Sequence, residues 1–193
     1  MNYVQLAYTQ ARDTLDKFFL DPASQEQILK AVDLFATSFE KNGRVFSCGN
    51  GGSMCDSLHF AEELTGRYRK DRRPLPATGI SEAGHITCIA NDFGFEHIFS
   101  RFVEAWGQKG DVLLAISTSG NSANVIKATE VALSKGMTVV GLLGKDGGKL
   151  KDMVTVPFII PCDITDRIQE VHIKLIHIFI EGIERRIFPE NYK

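Results

Sequence analysis

His59 and Glu63 stand four residues apart in FSCGNGGSMCDSLHFAEELTGRYR, residues 46–69, just after a turn that holds Gly49, Gly51 and Gly52. On a helix that spacing is roughly 40° around the axis, so an imidazole and a carboxylate reach the same point. Such a pair binds a divalent metal or divides acid and base work; an ordinary surface pair is the plain alternative. The glycines let backbone approach a ligand without Cβ clashes, and Ser53 with the first amides of the following helix offers donors to an anion. CGNGGS matches neither GxGxxG nor GxxxxGK[ST], which argues against a dinucleotide or a nucleoside triphosphate.

A second turn, STSGNS at 117–122, sets Ser117, Thr118, Ser119 and Ser122 ahead of another helix. Two such turns suit a neutral cradle for a phosphate monoester, with no arginine needed. A plain N-cap explains one serine per turn but not four hydroxyls at the second.

Further on, DRIQEVHIKLIHIFIEGIERR places Asp166, Gln169 and His177 within roughly 80° on a helical wheel. His177 sits inside an apolar run, where a hydrogen-bonded core histidine is the plain alternative. His172 lies about 60° from Gln169, so periodicity leaves both histidines open.

These residues need elements to hold them. Apolar runs at 44–48, 111–117, 137–143 and 154–160 read as buried parallel strands, with 77–81 a weaker fifth. Helical patterns fall at 53–65, around 95–107, at 122–135 and at 165–187. The alternation predicts a parallel sheet covered by helices on both faces, and in such sheets ligands bind beyond the carboxyl ends of the strands. Residues 1–41 read as two further helices broken at Asp21-Pro22, a hairpin placed for oligomer contacts.

The chain has 193 residues, 44% hydrophobic and 24% charged, enough for one sizeable core, and a formal charge of −2 gives no general attraction to nucleic acid or anionic membrane. No run approaches the roughly 20 apolar residues of a membrane span, and the first residues lack a signal peptide's pattern, so a cytoplasmic location is expected. Cys48, Cys55, Cys88 and Cys162 form no CxxC pair and read as small core residues in a reducing compartment. The basic run RYRKDRRP at 67–74 reads as a solvated loop, and Trp106 as a core or interface anchor.

CGNGGS, HFAEELTGRYR, ANDFGF, ISTSGNSANVIKA, GKDGGK and DRIQEVHIKLIH together resemble the bacterial phosphoheptose isomerases within the sugar isomerase (SIS) family, over nearly the whole chain. The resemblance implies an α/β, flavodoxin-like SIS fold: a five-stranded parallel sheet flanked by helices, with an N-terminal helical hairpin, as one SIS domain over residues 1–193. It implies a homotetramer that interconverts sedoheptulose 7-phosphate and D-glycero-D-manno-heptose 7-phosphate, the first step toward the ADP-heptose of the lipopolysaccharide core.

Carried over residue by residue, it implies substrate contacts at Asn50, Gly51, Gly52, Asn91, Asp92, Ser117, Thr118, Ser119, Ser122 and Gln169. The turn and helix positions read above add Ser53, His59, Glu63 and Asp166. The resemblance also implies one zinc ion per subunit on His59, Glu63, Gln169 and His177, with Glu63 and His177 as the acid and base pair. It selects His177 over His172. The alternative is a non-catalytic SIS protein that binds a replication initiator or senses a sugar phosphate. The initiator-binding branch lacks the residues matched here by Glu63 and His177, and the sensors carry fused domains.

Overall fold

The computed structural model describes residues 2–193, with Met1 outside the described residues. Two helices come first, α1 (Tyr3–Phe19) and α2 (Pro22–Glu40). Asp21 separates them: its carboxylate accepts the amides of Ala23 and Ser24, and Pro22 fits the first helical position because its missing N–H has no partner there. The chain then alternates through β1 (Val45–Cys48), α3 (Gly52–Thr65), β2 (Ala77–Gly79), α4 (Ala83–Phe93), α5 (Ser100–Trp106), β3 (Val112–Ser117), α6 (Ala123–Ser134), β4 (Thr138–Gly144), β5 (Val156–Ile160) and α7 (Thr165–Ile187).

All strand pairings are parallel, in the order β2-β1-β3-β4-β5. This is the flavodoxin-like order, in which the connection reverses direction between β1 and β3 and opens a crevice at their carboxyl ends. The five expected strands all form, β2 over fewer residues than the run 77–81.

Alternation along each strand sends side chains to two separate apolar layers. Val112, Leu114 and Ile116 of β3 join the layer covered by α1, α2, α3 and α7, while Leu113 and Ala115 join the layer under α4, α5 and α6. The first layer is knit by aromatic contacts: Phe35 meets Phe60 and Phe179 at ring-centroid distances of 5.4 and 5.6 Å, and Phe179 meets Phe158 at 5.3 Å. Truncating Phe179 to alanine there costs on the order of 3–5 kcal/mol.

Several expectations are corrected. The helix expected around 95–107 is broken: a 3₁₀ turn at Phe95–His97 precedes the short α5, and Gly94, at φ 96°, separates it from α4. Helix α4 itself went unread. Trp106 is 58% exposed, which removes the core half of its expected role and leaves the interface half. Of the cysteines only Cys48 is buried; Cys55 and Cys88 are exposed and Cys162 is half-buried. No described helix is long and apolar enough to cross a membrane.

Candidate active site

The turn after β1 and the turn after β3 flank the point where the sheet reverses direction. Gly51 sits at φ 56°, a left-handed conformation that glycine adopts without strain, and starts α3 with no side chain capping it. Ser53 lies buried in the first turn of that helix. At the other turn, Ser122 begins α6 but makes no capping bond; its hydroxyl pairs with that of Ser117 at 2.9 Å. The hydroxyl-rich turn is therefore not a plain helix cap.

The two turns are tied directly. Asn50 and Asn124 exchange both amide bonds, at 2.9 and 2.8 Å, and Asn124 is buried. A cleft of ≈ 350 Å³ beside them is lined by Asn50, Phe95, Glu96, Ser122, Ala123 and Asn124. The GKDGGK segment and the residue after it support the second turn from behind: the Lys149 amide donates to the Asn121 side chain at 3.1 Å and the Leu150 amide to the Gly120 carbonyl at 3.1 Å.

Helices α3 and α7 bring the titratable groups together. His59 Nε2 and His177 Nε2 lie 2.9 Å apart, and Glu63 Oε1 is 3.8 Å from His59 Nε2. Glu62 takes the other side of the ring, its Oε1 being 3.0 Å from His59 Nδ1. An Nδ1–H given to Glu62 leaves the His59 Nε2 lone pair facing His177, which then supplies the N–H between them. Tyr68 stacks on the His177 ring at 6.1 Å between centroids. Gln169 lies over the first turn of α3, so close that a Cβ on Gly52 would meet its Nε2 at 2.5 Å.

Burial raises the Glu63 carboxyl above its usual range, with the Glu62 charge adding to the effect. Burial, then the neighbouring His59 and Lys174, lowers the His177 imidazole. The geometry also separates the two histidines that periodicity left open. His172 is 0% exposed and its Nε2 bonds the Leu143 carbonyl at 3.0 Å, which makes it the core histidine.

Asn91 and Asp92 stand exposed at the end of α4, Asn91 donating to Asp92 at 2.7 Å. Asp166, in the first turn of α7, is exposed and bonds the Arg167 guanidinium at 2.7 Å. Thr118 and Ser119 are half-buried in the second turn. Sequence reading missed Glu62, Tyr68 and Asn124. Glu62 alone carried a local signal, its i,i+3 spacing from His59; the other two act through long-range contacts.

A parallel α/β sheet with two polar turns at its switch point, beside an imidazole and carboxylate cluster, defines an α/β protein whose turns suit a small anion, with titratable side chains next to them. The chain belongs to the SIS domain family, which matches residues 8–144. It is 54% identical over 192 residues to the phosphoheptose isomerase of Fusobacterium nucleatum, covering 100% of this chain and 98% of that one. The phosphoheptose isomerase of Proteus mirabilis is 56% identical over 180 residues, covering 93% of this chain and 94% of its own. Among solved structures, phosphoheptose isomerase GmhA from Neisseria gonorrhoeae superposes with a TM-score of 0.87 at 38% identity, over 94% of this chain and 96% of that chain.

Proposed function

We propose that the chain is an aldose–ketose isomerase that interconverts sedoheptulose 7-phosphate and D-glycero-D-manno-heptose 7-phosphate, feeding the ADP-heptose of the lipopolysaccharide core. The observation that carries this reading is the convergence of Glu63 and His177, from different helices, on His59. That cluster adjoins two turns suited to a phosphate, in a chain 54% identical to a phosphoheptose isomerase over its whole length. A partner-binding protein has no need of a half-buried base and acid side by side.

In this reading the sugar phosphate binds as an open chain. The hydroxyls of Ser117, Thr118, Ser119 and Ser122 and the backbone of Asn50, Gly51 and Gly52 hold its phosphate end, with Ser53, Asn91, Asp92, Asp166 and Gln169 along the chain. Glu63 removes the proton from the carbon beside the carbonyl, forming a cis-enediolate, and returns a proton at the neighbouring carbon. His177 gives a proton to the carbonyl oxygen and takes one from the adjacent hydroxyl, so the carbonyl moves with no net change in protons. The raised Glu63 pKa makes it a stronger base toward the C–H proton, and the lowered His177 pKa makes it a stronger acid toward the carbonyl oxygen.

In the same reading His59, Glu63, Gln169 and His177 would hold one divalent cation such as zinc per subunit; three of them stand together, while Gln169 lies against Gly52 at the start of α3. Ligand atoms around tetrahedral zinc lie roughly 3.3 Å apart, and the distances of 2.9 and 3.8 Å from His59 Nε2 to His177 Nε2 and Glu63 Oε1 bracket that value. Zinc there would polarise the carbonyl oxygen of the bound sugar. A lone pair of Glu63 or His177 that holds a metal cannot accept a proton at the same moment, so either their ligation is partial during turnover or the metal serves structure.

The chain reads as one SIS domain over residues 1–193: β5 extends the sheet beyond the matched segment, and α7 supplies both core and site. A cytoplasmic homotetramer completes the reading. Its assembly is supported by the exposed Tyr3, Leu6 and Tyr8 of α1 and by a groove of ≈ 560 Å³ between α1 and α7, lined by Leu15, Phe19, Ile173 and Ile178 and reaching His177.

The test is a discontinuous assay with sedoheptulose 7-phosphate on metal-stripped protein, with and without added zinc, beside Glu63→Gln and His177→Ala. Turnover lost in both variants supports the acid and base pair, and the zinc arm separates a required metal from a dispensable one. Intact protein that binds the sugar phosphate without converting it overturns the reading.

A further inference from the structure

Arg72 belongs to the basic run that the sequence presents as a solvated loop, yet its side chain is 1% exposed. Its guanidinium is fully engaged. Nη2 donates to the Glu63 carbonyl at 2.7 Å, Nη1 to the carbonyls of Leu64 and Gly66 at 2.9 and 2.7 Å, and Nε to Glu184 Oε1 at 2.9 Å. The other oxygen of Glu184, itself 0% exposed, accepts the Tyr192 hydroxyl at 2.7 Å.

The arrangement has a direction. The last carbonyls of a helix have no partner within it, and a cation there also meets the negative end of the helix dipole. Arg72 supplies both at the end of α3 that carries Glu63. Glu184 lies seven residues beyond His177, two turns along the same face of α7. Glu63 and His177 are thus held to one another by the His59 contact on one side and by the Arg72 fork on the other.

A salt bridge this deeply buried is weak evidence for stability, because desolvating both charges offsets much of their attraction. Its rigid geometry is what a hydrophobic pair of the same volume would lack. We propose that Arg72 is a positioning residue for the isomerase reaction: its buried guanidinium clamps the Glu63 end of α3 against the His177-bearing face of α7. The inference rests on the isomerase reading above.

Two variants test it with the full chain. Arg72→Met with Glu184→Gln removes both charges together, so no buried charge is left unpaired. Arg72→Lys keeps the pairing with Glu184 but cannot span the three carbonyls. The expected result in either folded variant is a fall in kcat of about 10- to 100-fold, the scale of a small misplacement of a catalytic group. KM for sedoheptulose 7-phosphate should stay within about threefold, because the phosphate turns are untouched. Amide exchange at residues 62–66 should accelerate.

A purely structural Arg72 would lower the melting temperature and leave kcat alone. Wild-type kcat in the double variant, or in Arg72→Lys should the double variant fail to fold, overturns the proposal; so does a rise in KM at unchanged kcat. Wild-type protein assayed alongside keeps the failures apart: no turnover in the wild type overturns the isomerase reading itself, whereas turnover undiminished by either substitution overturns only the role of Arg72.

Discussion

His59 and His177 are 118 residues apart in sequence, and their Nε2 atoms lie 2.9 Å apart in space. One sits on the helix that follows the first strand and the other on the last helix, so the contact exists only when α3 and α7 pack on the same face of the sheet. Glu63 joins it from the α3 side, one turn beyond His59.

The first prediction concerns that carboxylate. Glu63→Gln keeps size and hydrogen bonding but cannot take a proton from carbon, so kcat should fall by roughly 10²- to 10⁴-fold with KM little changed. Steady-state kinetics with sedoheptulose 7-phosphate decide it, and normal turnover in this variant sinks the base assignment.

Metal binding should be visible without any assay of turnover. Zinc at a hundredfold excess over its dissociation constant stabilises the folded state by about 2.7 kcal/mol, or very roughly 5–10 °C in Tm for a chain of this size. Thermal melts of stripped protein with and without zinc should show that rise in the wild type and a clearly smaller one in His59→Ala and His177→Ala. A wild-type Tm indifferent to zinc removes the metal from the site.

Gly52→Ala probes the closeness of the two helices. The new Cβ would meet Gln169 Nε2 at 2.5 Å, so the amide must swing away. Since the backbone at Gly52 is helical, the fold should survive with a stability change within about 1 kcal/mol. The expected cost appears in KM for the sugar phosphate and in zinc affinity. Kinetics and affinities equal to wild type would show that Gln169 has no part in either.

His172 makes a prediction about pH and stability. Burial lowers its pKa from the ordinary 6.5 to about 4, so the folded state favours the neutral ring. Its contribution is fully present above pH 6.5 and is lost progressively as pH falls from there to about 4, on the order of 3 kcal/mol in all. Asp56 acts in the opposite sense, since burial raises its carboxyl to about 6 and its protonation favours the fold over a similar range. Comparing wild type with His172→Gln by urea unfolding between pH 4 and 7 isolates the histidine: the variant should lose less stability on acidification. Parallel curves would contradict the buried, neutral assignment.

Gly120→Ala addresses the second turn. Gly120 has φ 64°, and a Cβ there would fall onto the Gly147 carbonyl of the supporting GKDGGK segment. Left-handed strain and the clash together should destabilise the protein by several kcal/mol. A melt within a degree or two of wild type would mean that the turn relaxes freely.

The strands were legible because a buried parallel strand is a short continuous apolar run, as in DVLLAIS, and such a run advertises itself without knowledge of its neighbours. Helix α4 was not, although AGHITCIANDF is amphipathic, because its cap is Glu82, outside the Ser, Thr, Asp and Asn set that marks a helix start, and Gly84 stands in its first turn. The turns CGNGGS and STSGNS and the His59 and Glu63 spacing were likewise visible, being local patterns. Arg72 was misread for the converse reason: a guanidinium in a basic run looks solvated until its partner appears, and Glu184 lies 112 residues away.

By itself the sequence determined the α/β alternation, the two phosphate-type turns and the candidate pair on α3, each of which depends on residues within a turn or two of one another. Helical periodicity alone left His172 and His177 open, and the tertiary structure gives the physical reason for choosing the second, as the family resemblance implied: the Leu143 carbonyl in the core faces one, His59 faces the other. The tertiary structure likewise decided that Asn124 ties the two turns together and that Arg72 closes the end of α3. Long-range partners are fixed by packing across the sheet, and no local spacing encodes them.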